Sequence, residues 1–148
     1  MSQQENLESY LKVITGRNFI KSAIYLDAQR MLFITYYSSY EEAKSYEEEI
    51  SEENYNNYFS QGKIEKLIVV ESARLLREYP FIESISIDLT VDGSKYDSLV
   101  TREKFNLITG CEIENLSLSD GSWKEFERKY GANKQNRNKL FKAFLLQK

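Results

Sequence analysis

Residues 84–93 read SISIDLTVDG. Ile85, Ile87, Leu89 and Val91 alternate with Ser84, Ser86, Asp88 and Thr90. Successive side chains of a strand point to opposite faces, so this alternation predicts a strand with one face on a core and the other in water. Asp92-Gly93 is the best hairpin turn in the chain, and Tyr96–Val100 returns from it. Upstream, Asn18–Leu26 and Met31–Tyr37 are rich in β-branched and aromatic residues and flank a polar break at Asp27–Arg30. That pattern predicts a first hairpin, although its turn lacks glycine.

Helical signals lie around and between the hairpins. Glu5, Leu7, Tyr10, Leu11 and Ile14 have nearly helical spacing before Gly16. Ser39 with Glu42 is a capping-box pair that opens a helix near Tyr40, running to about Ile50. Ser51 and Asn54 mark a break and a second short turn through Tyr58 and Phe59. From Lys63 to Tyr79, Ile64, Leu67, Ile68, Leu75 and Tyr79 form one stripe, while Val69, Val70, Ala73 and Leu76 add apolar surface elsewhere. This predicts a central helix touched by several elements, ended by Pro80. Thr101 caps a short helix closed by Gly110. Ser122 with Glu125 is a second capping box, Gly131 breaks that helix, and a last one spans about 133–146.

The order predicts an α+β protein: an antiparallel sheet of about four strands built from two β-hairpins, with helices packed on one face. At 148 residues the chain fits a single globular domain, 1–148, frayed at 1–4, with the helical segment 122–146 packed on the sheet domain. No stretch approaches the ~20 apolar residues of a membrane span, and the polar start Met1–Glu8 reads as cytoplasmic. A signal or anchor already removed would leave no trace.

Absent residue types bound the chemistry. Histidine is missing and Cys111 is the one cysteine. This removes imidazole acid–base work, histidine-ligated metals, disulfides and zinc knuckles. The expectation is no cofactor and no metal. Glutamates strung along a helix do not converge on calcium, and Asp92-Gly93-Ser94-Lys95 lacks the glycine spacing of a phosphate loop.

Charge is distributed unevenly. Residues 41–55 hold seven glutamates against Lys44, net −6, whereas 124–148 hold eight cations against Glu125 and Glu127, net +6. The plain reading is two solvated faces, which within one molecule would neutralise each other where they pack together. The functional reading is docking of a protein partner or a second copy through complementary charge. Its candidate residues are Tyr40, Tyr46, Glu47, Glu48, Tyr55 and Tyr58 on the acidic side, and Lys134, Arg137, Lys139 and Lys142 on the basic side. Nucleic acid is a less favoured partner, given a net charge of −3 and no recognition-helix signature.

Glu71 is the odd residue. It sits mid-stripe between Ile68 and Leu75, where a carboxylate is costly unless paired. It either pairs with Arg74 or lies in a cleft as an acid or base. The leading expectation is a non-catalytic binding or accessory domain; the alternatives are a nucleic-acid-binding accessory protein and a carboxylate-based enzyme.

Overall fold

The structure, a computed structural model, describes residues 3–11, 19–46 and 51–146. Glu47 and Glu48, the end of the helix expected to reach Ile50, and the chain termini lie outside the described residues.

The elements are α1 (Gln3–Leu11), β1 (Ile20–Leu26), β2 (Met31–Tyr36), α2 (Tyr40–Tyr46), α3 (Glu52–Tyr58), α4, β3 (Ser84–Asp88), β4 (Thr90–Val91), β5 (Ser94–Lys95), β6 (Ser98–Thr101), α5 (Arg102–Thr109), α6 and α7 (Lys134–Phe144). Helix α4 is continuous but not uniform: α-helical over Gln61–Lys66, π-helical over Leu67–Glu71 and α-helical again over Ser72–Glu78. Helix α6 likewise starts α-helical at Ser122–Phe126 and continues as a π segment over Glu127–Ala132.

The α+β expectation holds, with one correction. The four-stranded sheet has the order β1-β2-β3-β6, and its central pair, β2 and β3, runs parallel, with Ile34 opposite Ile87. The sheet is therefore mixed. Each hairpin is antiparallel, but they join through the long helical connection from α2 to α4. Such a crossover carries the chain back to the end from which the previous strand began.

Both turns follow from backbone freedom. Asp92 (φ 50°) and Gly93 (φ 80°) are both left-handed, the two-residue turn that matches strand twist. The glycine-free first turn closes because Arg30 adopts φ 50°. Its side chain is held by the carbonyl of Phe81, which accepts from Nε at 3.0 Å.

One sheet face carries the core. Leu32, Ile34 and Tyr36 of β2, Ile85 and Ile87 of β3, and Val100 of β6 are buried beneath the helices. The other face is open, and Ile24 and Phe33, opposite each other in register, are exposed. Helix α4 is the central element: every residue from Leu67 to Ala73 is buried. Its end follows the proline rule, with Tyr79 leaving helical geometry at φ −123°, ψ 85°. Among the described residues, no helix is long and apolar enough to cross a membrane.

Caps formed as expected at Thr101, which accepts from the Lys104 amide at 3.2 Å, and at Gly110 in the left-handed region. The second capping box does not form. Gly121 occupies the cap position, and the Ser122 hydroxyl instead accepts from the Ser117 amide at 2.8 Å and donates to Asp120 at 2.6 Å.

The C-terminal helices are seated on α4 by a buried ion pair. Arg137 Nε donates to Glu65 Oε1 at 3.1 Å, and Arg137 Nη1 donates to the Gly131 carbonyl at 2.8 Å. Glu65 also accepts from Gln61 and Asn138. Burial alone would raise the Glu65 carboxyl, but these hydrogen bonds and the guanidinium outweigh it and hold it below its ordinary value. A lowered folded-state pKa contributes stability that is present above the unfolded value and lost as pH falls through the folded one. Glu65→Ala is therefore expected to cost about 3–5 kcal/mol in urea denaturation at neutral pH, because it strands the Arg137 charge. Glu65→Gln should flatten the loss of stability seen below about pH 4.5.

Candidate functional site

Helices α4 and α6 run antiparallel. Arg74 meets Glu127 at one end, Val70 meets Gly131 in the middle, and Glu65 meets Arg137 of α7 at the other. Between α4 and α6 lies a cleft of about 780 Å³, closed on a third side by Tyr58 of α3. Lys63, Lys66, Leu67, Val70, Glu71 and Arg74 reach it because residues three and four apart share one side of a helix.

The π segments explain the opening. Such segments are rare and recur at functional sites, because the extra residue re-aims side chains and disturbs close packing. Two occur among the described residues, and both line this cleft: Leu67, Val70 and Glu71 come from one, and Glu127, Arg128, Gly131 and Ala132 from the other. Gly131 is where the helices touch. A Cβ there would sit 3.3 Å from Val70 Cγ2, a tight contact, so glycine permits the approach.

Glu71 is buried, and it is both paired and in the cleft. Arg74 Nη1 donates to Glu71 Oε1 at 2.6 Å, and Arg74 Nη2 donates to Glu127 Oε2 at 3.1 Å. One guanidinium thus joins carboxylates of two helices, Glu127 lying 53 residues beyond Arg74 in sequence. Tyrosines surround this group. Burial first, and then the Glu71 charge, raises the Tyr58 hydroxyl far above its ordinary value. The same two causes push Tyr10 up to about 12 against the opposing effect of Arg74. Tyr36 is raised by burial, then Tyr58, then Glu71. These phenols therefore stay protonated and present O–H donors rather than phenolate nucleophiles. The Tyr58 hydroxyl is buried and has no hydrogen-bond partner among the described residues.

The rim is cationic. Lys63 and Lys66 are exposed, and among the described residues neither forms an ion pair. Arg128 pairs with Glu125 one turn away.

The residues singled out for docking are scattered. Tyr55 is a core residue, packed against Phe59 at 4.8 Å and Phe19 at 5.6 Å, so it presents no surface. Tyr40 is half-buried against it. Tyr46 is exposed and stacks on Tyr37. Arg137 is 4% exposed and engaged by Glu65, which withdraws it from the basic surface. Lys134, Lys139 and Lys142 stand exposed on α7. Of the named tyrosines, Tyr58 alone reaches the cleft. Among the described residues, no ion pair joins 41–59 to 124–146. Sequence reasoning found Glu71 and its pairing with Arg74 but missed Glu127, Lys63 and Lys66. The two lysines carried a legible signal, lying on the same stripe as Glu71 at turn spacing.

No protein-family model, curated protein or solved structure matches the chain.

Arg74→Met is expected to destabilise the protein by about 2 kcal/mol in urea denaturation, less than a fully buried pair because the guanidinium is partly exposed. Adding Glu71→Gln to that variant should recover part of the loss, since a neutral amide needs no counter-charge.

Proposed function

We propose that this protein is a non-catalytic binding domain whose ligand is a small molecule held in the cleft between α4 and α6. One observation carries the reading: two packed helices both leave α-helical geometry at the same place and leave a cleft of about 780 Å³ there. That volume suits a small molecule, as does a wall of Leu67, Val70 and Ala132 with a few charged and hydroxyl groups. Binding is favoured over chemistry because both acids of the cleft share Arg74 and the phenols around them hold their protons. No group there is poised as a free base or nucleophile. A single cysteine, Cys111, suits a reducing compartment, and we read the protein as cytoplasmic on that ground.

Titration of the ¹⁵N-labelled protein with a small-molecule fragment library tests this. Amide shifts are expected to cluster at Val70, Glu71, Gly131 and Ala132, and Ala132→Trp, a substitution at an exposed wall position, should abolish them. Shifts confined to other surfaces, or shifts that survive the tryptophan, would overturn the reading.

The exposed lysines of α7 favour a second reading, the docking of an acidic partner protein or, less favoured, nucleic acid. Under it, binding in a low-salt pull-down or mobility-shift assay should vanish when Lys134, Lys139 and Lys142 are all changed to Glu. Unchanged binding by that triple variant would remove this reading.

A further inference from the structure

We infer that the cleft takes an anionic amphiphile: an apolar body lying along α4 with a single acidic head at Lys63 and Lys66. This rests on the cleft being a ligand site and adds the chemical class of its occupant.

The argument is the order of side chains along the groove. Lys63 and Arg74 are eleven residues apart on one continuous helix, so the groove is about 16 Å long at roughly 1.5 Å per residue. Its first turn presents two exposed ammonium groups, Lys63 and Lys66, with no carboxylate partner among the described residues. Its middle is Leu67 and Val70, facing Ala132. Its far end holds Glu71 and Glu127 with Arg74 and Arg128, acids and guanidinium groups that are already paired, Arg128 with Glu125.

An anion placed at the far end would lie against two carboxylates, and the guanidinium groups there are already paired. A cation at the near end would meet the two lysines. The apolar middle accepts neither without loss of hydration. The arrangement that satisfies all three regions has the negative charge at the lysines and an uncharged apolar portion over Leu67 and Val70. A polyanion fits poorly, since the lysines lie on one turn and the adjoining wall is apolar.

The test is a set of ligands with one chain and different heads: decanoate, decyl phosphate, decyltrimethylammonium and decanol, each below its micellar concentration. They are titrated into the intact ¹⁵N-labelled protein and into Lys63→Glu/Lys66→Glu. Both substitutions lie at exposed positions outside the buried pairs, and circular dichroism checks the fold. Decanoate or decyl phosphate should bind more tightly than decanol, and decyltrimethylammonium more weakly. The tighter of the two anions identifies a carboxylate or a phosphate head. The double variant should lose roughly ten-fold or more in anion affinity, gain for the cation, and leave decanol unchanged.

If decanol and the cation bind in the cleft as well as the anions do, or if charge reversal leaves the order unchanged, the inference fails and the cleft remains a ligand site. If none of the four shifts the Val70 and Gly131 amides, the cleft reading fails with it. Binding that persists in Ala132→Trp lies elsewhere and overturns the inference too.

Discussion

The arrangement of the C-terminal half depends on one buried ion pair, Arg137 with Glu65. Ion pairs of this kind add little net stability over an apolar contact, yet they are unforgiving about position, because a displaced partner leaves a bare charge in the interior. Here the pair fixes which turn of α7 lies on which turn of α4. The second guanidinium hydrogen bond, to the Gly131 carbonyl, anchors the end of the π segment in α6. With α7 so placed, α6 must pass Val70 at short range, and the space beside that crossing is the cleft.

Chemical character follows from how charge is grouped. Arg74 is shared between two acids, so it partly neutralises one end of the groove and links α4 to α6 at the same time. The lysines at the other end have no such partner among the described residues. Among the described residues, the asymmetry evident in the composition, acidic in 41–55 and basic in 124–148, is not resolved by pairing between those segments. Some of its charges pair instead within one turn, Arg128 with Glu125, or with residues outside both segments, Arg137 with Glu65 and Glu42 with Lys21. Each run of charge is thus partly internal structure and only partly surface.

Local structure was readable in the chain because local rules decide it. The alternation in Ile85–Val91, the left-handed turn at Asp92-Gly93, the cap at Thr101 and the stop at Pro80 each depend on a few neighbouring residues. The parallel joining of β2 to β3 depends on a long helical crossover, which no short window contains. The burial of Tyr55 and Arg137 was hidden for a similar reason. Both sit in strongly charged segments, and a charged neighbourhood argues for solvent until a distant partner such as Phe19 or Glu65 is known. Glu71 was legible as an anomaly within its own helix, and so was Arg74. Glu127, on another helix, was not. Nor were the π segments, which no motif in the chain marks off from ordinary α-helix. Gly131 lies one residue from the end of α6, close to the stop expected there, and also marks a contact between two helices.

A π turn has one residue more than an α turn, so everything beyond it is rotated by about 100° relative to an uninterrupted helix. In α4 that rotation lies between Lys66 and Ser72, upstream of Arg74. Without it, the guanidinium would swing about a quarter-turn around the axis, away from Glu127. The alignment of Arg74 is therefore a matter of chain counting as much as of side-chain identity. Gain or loss of a single residue between 67 and 71 would re-phase the helix even if every cleft residue were retained. That short span is a place where evolution can exchange side chains far more freely than it can change length.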